Sequence, residues 1–237
     1  MDTLMREDLL ANKVEAVSSL LISIELNYAP ACFACSFGIE DMVLVDLICK
    51  HAPKIEVFTL DTGRLPQETY ELIQKVKERY ARPVNIYFPE TQNVETYVEK
   101  HGPNGFYESV ALRKECCRIR KVEPLKRALA GKKAWITGVR RGQSVTRKDL
   151  SLSKWDVDHK LQKFNPLIEW SEDEVWDYVR RFDLPYNTLY NQGYASIGCA
   201  PCTRAITIGE DIRAGRWWWE DAATKECGLH LKRLSIG

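Results

Sequence analysis

Ala31-Cys32-Phe33-Ala34-Cys35-Ser36-Phe37-Gly38-Ile39-Glu40-Asp41 runs directly into Met42-Val43-Leu44-Val45-Asp46-Leu47-Ile48-Cys49. The first five residues are short and apolar, as a buried strand requires, and the run Met42–Cys49 has the apolar density of a buried helix. Between them lies a turn built on Ser36 and Gly38. Strand, small-residue turn and helix is the layout of a phosphate or nucleotide cradle, because the turn and the helix start both present backbone N–H groups.

The pattern extends both ways. Upstream, Leu9, Leu10, Val14, Val17, Leu20, Leu21 and Ile24 recur at helical spacing and predict an amphipathic helix over 5–27. Downstream, Ile55–Leu60 reads as a strand, then the turn Asp61-Thr62-Gly63-Arg64 and a helix over 66–80. Val84–Phe88 is a third strand with a helix near 91–100, and helical segments over 109–130 precede a fourth strand at Lys133–Val139. Strands alternating with helices predict an α/β fold, a parallel sheet sandwiched by helices. Ligands in such sheets bind beyond the carboxyl ends of strands, where Ser36, Leu60-Asp61 and Thr137-Gly138 fall. Residues 140–154 are polar and basic and read as a mobile loop beside that edge. Ser171-Glu172-Asp173-Glu174 is a capping box opening a helix over 171–182, and from Tyr186 the chain is rich in loops. No repeat or linker interrupts it. Residues 1–208 are expected to form the α/β body, and 209–237 a mobile C-terminal tail on the same domain that acts as a lid over the site.

Of the 237 residues, 45% are hydrophobic and 28% charged, with a net charge of +1. Those are the proportions of a soluble globular chain. So small a net charge supplies no field for nucleic acid or membrane surfaces, so neither is expected as a partner. The N-terminus has no signal-peptide pattern and no run of about eighteen apolar residues occurs, so a cytoplasmic protein is expected.

Eight cysteines are many for a cytoplasmic chain, where structural disulfides are rare. Cys32 and Cys35 fall in the first predicted strand, at a spacing that sends their side chains to opposite faces, and Cys49 ends an apolar helix; all three read as core. Cys116-Cys117 and Cys199-Ala200-Pro201-Cys202 lie outside strands among polar residues. Four thiolates there complete a shell for Zn²⁺ or an iron–sulfur cluster, and spacing alone leaves both open. Cys227 stands apart in Lys225-Glu226-Cys227-Gly228-Leu229-His230, downstream of Arg213-Ala214-Gly215-Arg216-Trp217-Trp218-Trp219-Glu220. Cationic neighbours favour a thiolate, the nucleophilic form, and can hold an anion before it. The plain alternative is a disordered basic tail, against which three consecutive Trp argue.

Taken in order, SFGIED, LDTGRLPQETY, CCRIRKVEPLKRAL, WITGVRRGQSVTR, FNPLIEWSEDEVW, LPYNTLYNQGYASIGCAPCTRAI, RAGRWWWE and KECGLH cover nearly the whole chain. This series resembles the thioredoxin-dependent reductases of adenylyl sulfate and phosphoadenylyl sulfate. The resemblance implies the adenine-nucleotide alpha-hydrolase-like fold. It also implies a [4Fe–4S] cluster on Cys116, Cys117, Cys199 and Cys202, and with it adenylyl sulfate as substrate, phosphoadenylyl sulfate being accepted by some such members. By position, Cys227 resembles the nucleophile that carries an S-sulfonate. Lys121, Arg147, Arg213, Arg216 and His230 resemble the phosphosulfate-binding groups, and Ser36, Leu60 and Gly138 the adenosine contacts. Thioredoxin or a similar dithiol is the implied partner, with a homo-oligomer left open. The turn at Ser36 also resembles the pyrophosphate loop of ATP-using enzymes, although Phe37 and Glu40 replace small residues there. Two other readings compete: an ATP-using adenylyl transferase of the same fold, which has no use for Cys227, and a zinc-stabilised nucleic-acid-binding module, which the small net charge opposes.

Overall fold

The computed structural model describes residues 3–143 and 150–221. Seven helices and six strands are placed among them: α1 (Thr3–Asn27), β1 (Ala31–Ala34), α2 (Ile39–His51), β2 (Glu56–Leu60), α3 (Gln67–Tyr80), β3 (Asn85–Tyr87), α4 (Thr91–His101), α5 (Val110–Cys117), α6 (Glu123–Leu129), β4 (Ala134–Ile136), β5 (Ser153–Asp156), β6 (Leu161–Phe164) and α7 (Glu172–Arg181). The strands form one sheet in the order β3-β2-β1-β4-β6-β5. β1 pairs in parallel with β2 and β4, and β4 with β6, whereas β5 runs antiparallel to β6. The wholly parallel sheet expected from the sequence is therefore corrected to a mixed one. The antiparallel strand starts in the last two residues of the stretch 140–154 expected as a mobile loop and continues past it. Residues 157–160 reverse the chain, ending at Lys160 with φ +54°, and fold β5 back along β6 as a hairpin.

The chain divides into two compact units, each described by itself. The first comprises the chain up to Thr59, Gln67–Asn85 and Leu129–Leu189; the second comprises Leu60–Pro66, Ile86–Ala128 and the chain from Tyr190. In the first unit α2 is buried continuously from Ile39 to Ile48, with α1 and α7 packed against it. A helix covered on all sides explains the apolar run Met42–Val45 and Leu47–Cys49. Its one interior acid, Asp46, accepts hydrogen bonds from the Tyr178 hydroxyl at 2.6 Å and the Tyr80 hydroxyl at 3.0 Å, and pairs with Lys50 at 2.7 Å. α7 opens with the expected capping box: the Glu174 N–H donates to the Ser171 hydroxyl and the Ser171 N–H to the Glu174 carboxylate. Cys32 and Cys35 are buried, as their place in and just beyond β1 required; Cys49 is half-buried beside Arg82.

In the second unit α5 is capped by Ser109, whose hydroxyl accepts from the Leu112 N–H. It passes without a break into a π-helical turn at Arg118–Val122 and then into α6. A π turn shifts the helical register and is frequent at functional sites.

Candidate functional site

β1, β2 and β4 are neighbouring parallel strands, so their carboxyl ends open on one edge of the sheet. Ser36 lies two residues past the end of β1 and Gly138 two past the end of β4, both in the first unit. One side chain joins them. Asp41, in the first turn of α2, accepts the Ser36 backbone N–H at 2.5 Å and the Ser36 hydroxyl at 2.7 Å through the same oxygen. Its other oxygen lies against Gly138, where a Cβ would sit 2.1 Å from it, so any side chain there would displace the carboxylate. Burial pushes the Asp41 carboxyl up to about 7; the two Ser36 bonds oppose that rise and the Glu40 charge adds to it. Glu40 itself is paired, at 2.8 Å, with Arg140 of the turn that follows β4. The turn between β1 and α2 also holds Phe37, buried at φ +60°, a conformation that costs a bulky residue energy and that the surrounding packing must impose.

The second unit holds a cavity lined by Cys116, Cys117, Cys199 and Cys202, with Arg64, Arg113, Arg120 and Lys121 on its walls and Phe106, Pro201 and Trp217 closing it. The two cysteine pairs thus meet, as their spacing suggested. They meet as packed thiols: Cys117, Cys199 and Cys202 belong to one buried cluster with Phe106 and Trp217, and Cys116 packs against it. Thr62 Oγ1 lies 3.2 Å from Cys199 Sγ, and Arg120 donates to the Thr62 carbonyl at 2.6 Å. Burial pushes the Cys202 thiol up to about 12 and raises Cys116 as well, against the opposing Arg120 charge. Among the described residues no group of three or more His, Cys, Asp or Glu is placed to hold a metal ion. The [4Fe–4S] cluster and the metal-ligand role expected of these four cysteines are corrected accordingly, and zinc falls with them. Spacing brought the thiols to one cavity, but packed against aromatic rings they are not placed as a convergent set of donors.

The segment carrying Arg213 and Arg216 is tied down in the same unit. The Arg204 N–H donates to the Gly215 carbonyl at 3.0 Å, Thr203 and Arg216 form an antiparallel bridge, and the Trp217 N–H donates to the Cys202 carbonyl at 3.2 Å. Arg216 is buried over the Trp217 ring and donates to the Ile197 carbonyl at 3.2 Å. Its guanidinium fills the space that a Cβ on residue 198 would need, which accounts for Gly198. Arg213 sits in the turn that precedes it, its N–H bonded to the Asp211 carboxylate at 2.8 Å. At the end of the segment Glu220 accepts two bonds from Arg113, at 2.8 and 2.7 Å, with both side chains buried.

Residues 30–205 match the phosphoadenosine phosphosulfate reductase domain. A protein of Allochromatium vinosum named adenosine 5'-phosphosulfate reductase is 53% identical over 96% of this chain and 89% of its own. One of that name from Burkholderia cepacia is 51% identical over 95% and 90%. The chain belongs to the phosphoadenosine phosphosulfate reductase family. It is an oxidoreductase of the adenylyl-/phosphoadenylyl-sulfate reductase type, acting on sulfur-containing substrates. In fold, this reductase matches the crystal structure of phosphoadenylyl-sulfate (PAPS) reductase from Candida auris in its phosphate complex. The TM-score is 0.69 and the identity 28%, over 86% of this chain and 98% of that one. Among the described residues no helix of this reductase is long and apolar enough to cross a membrane.

Of the residues singled out from the sequence, Ser36 and Gly138 meet through Asp41, and Lys121 lines the cavity on the π turn. Leu60 ends β2, and Arg213 and Arg216 lie on the anchored segment rather than on the cavity wall. Arg147, Cys227 and His230 lie outside the described residues. Sequence reading passed over Asp41, Arg113, Arg120 and Glu220. The signal for Arg120 was present: it follows Cys116 by four residues, one helical turn.

Proposed function

We propose that this reductase converts adenylyl sulfate to sulfite and AMP, with thioredoxin or a similar dithiol protein as reductant. The observation that carries the reading is the 53% identity, over 96% of this chain, to a protein named for adenosine 5'-phosphosulfate. In this reading Ser36, Leu60 and Gly138 contact the adenosine, and Lys121, Arg147, Arg213, Arg216 and His230 bind the phosphosulfate. Residues 209–237 carry the nucleophile. The Cys227 thiolate attacks the sulfate sulfur; a sulfur–sulfur bond forms, the sulfur–oxygen bond to the phosphate breaks, and AMP leaves with that electron pair. A thiolate of the dithiol then attacks the Cys227 sulfur, sulfite departs with the electron pair of the sulfur–sulfur bond, and the second thiol resolves the mixed disulfide. The dithiol supplies two electrons. Such a donor stays reduced in the cytoplasm, where we place the protein. Burial raises the thiols of Cys32, Cys35, Cys49, Cys116 and Cys202 and so disfavours the thiolate at those five positions.

The test is sulfite release from adenylyl sulfate by purified protein with reduced thioredoxin, run beside phosphoadenylyl sulfate. Faster turnover of adenylyl sulfate is expected; no sulfite from either nucleotide would overturn the proposal. Arg213→Ala and Arg216→Ala are each expected to weaken substrate binding by about 1.5–3 kcal/mol, the worth of a charge-assisted bond to the phosphosulfate. Arg216→Ala should also lower the melting temperature, because it empties the space beside Gly198 and Trp217. Unchanged KM in both variants would assign the arginines to the segment's own packing.

A further inference from the structure

We infer that Asp41 is a positioning residue for nucleoside binding, holding the Ser36 hydroxyl so that its lone pairs face a hydrogen-bond donor of the nucleoside. The inference rests on the proposed reading of Ser36 and Gly138 as adenosine contacts and adds to it the residue that orients them. The geometry is specific. A single buried carboxylate takes both polar hydrogens of Ser36, on the backbone and on the side chain. A Ser hydroxyl has one hydrogen and two lone pairs, so with the hydrogen committed inward only acceptance remains for the exposed side. The same carboxylate lies against Gly138, so it spans the ends of two adjacent strands, and the missing side chain at residue 138 is what admits it.

Two other features set this acid apart from a structural one. Its neighbour Glu40 has the Arg140 guanidinium as partner, whereas Asp41 spends its oxygens on the turn itself. The groups acting on Asp41 are the Ser36 hydroxyl and N–H, the Gly38 backbone and the Glu40 charge, and the buried Cys35 thiol lies near enough to feel its charge. Burial pushes its carboxyl up to about 7, so the inward bond changes character as the pH passes through that region. Above that point the carboxylate accepts strongly and holds the Ser36 hydrogen inward. Below it the neutral acid accepts weakly, and the hydroxyl is free to turn its hydrogen toward the ligand.

Adenosine, which has no titrating group between pH 5.5 and 8.5, is the probe, with binding measured by calorimetry across that interval. Wild-type affinity should fall about tenfold on acidification, as expected when a charge-assisted bond becomes a neutral one. Asp41→Asn, the isosteric mimic of the neutral acid, should show the low affinity at every pH and keep a cooperative melt. Ser36→Ala, at an exposed position, should lose the same pH dependence, and the double variant should bind no worse than either single one. An Asp41→Asn protein with wild-type affinity and slope would overturn the inference while leaving the proposed function standing. Should Asp41→Asn fail to fold, a Ser36→Ala protein that kept the wild-type slope would overturn it equally. AMP at pH 8 is the control: a wild-type protein that does not bind AMP overturns the nucleotide reading and this inference with it.

Discussion

Glu220→Ala is expected to lower the melting temperature by roughly 6–20 °C. The Arg113 guanidinium and the Glu220 carboxylate are both about 2% exposed or less and are joined by two parallel bonds. Removing the carboxylate leaves a buried cation without its counter-charge, a change that costs about 3–5 kcal/mol, and in a chain of this size each kcal/mol moves the transition by about 2–4 °C. Arg113 also stacks on the Trp217 ring, 4.7 Å from its centroid, so the guanidinium has no room to swing into solvent without breaking that packing. A paired replacement separates the cost of an orphaned charge from the worth of the pair. Arg113→Met combined with Glu220→Leu should recover most of the loss, because apolar side chains of similar volume need no partner. Thermal melts of the two proteins decide the matter. A Glu220→Ala protein within about 1 kcal/mol of wild type would mean that the pair behaves as an exposed one.

The same pair shows where sequence reading stops. Arg113 and Glu220 are 107 residues apart, Arg113 in a polar stretch and Glu220 directly after three Trp, and nothing local names either as the other's partner. What the sequence does encode is periodic or covalent. The alternation of apolar runs placed β1, β2 and β4 and the helices between them, and with them the sheet edge where Ser36 and Gly138 meet. The capping box at Ser171 marked the start of α7 to the residue, because both of its partners lie within one turn. The β5–β6 hairpin escaped notice because β5 is exposed, with Lys154 and Asp156 beside Trp155, so it lacks the apolar alternation that signals a half-buried strand. The cysteines show a third kind of limit. Their spacing told which thiols would share a cavity, but whether four sulfurs converge as ligands or pack as apolar groups depends on the rings of Phe106 and Trp217, which spacing does not record. Asp41 reads as an ordinary first-turn acid favoured by the helix dipole; only the fold reveals that it reaches back to Ser36 and across to Gly138.

Cys227→Ser is expected to lower turnover on the order of 10⁴-fold or more while leaving nucleotide affinity within about twofold, as loss of a nucleophile without loss of binding requires. A hydroxyl is almost wholly protonated near neutral pH and cannot replace a thiolate as attacking group. The wild-type protein offers the positive half of the test. Mixed with adenylyl sulfate and no dithiol, it should release one AMP per site and stop. A peptide containing Cys227 should gain about 80 Da, the mass of one sulfonate, since covalent catalysis divides the reaction at that adduct. Reduced thioredoxin, added afterwards, should free the sulfite and return the thiol. The other cysteines make the location of the adduct informative. Burial pushes Cys32 up to about 12 and Cys35 well above its ordinary value, and it raises Cys49 despite the nearby Arg82, so none of them supplies a thiolate at neutral pH. Cys202 is held near 12 and Cys116 is raised for the same reason, in a cavity closed by aromatic rings. An adduct on any of these, or full turnover by Cys227→Ser, would place the nucleophile elsewhere in the chain and remove the role assigned to Lys225 and His230 beside it.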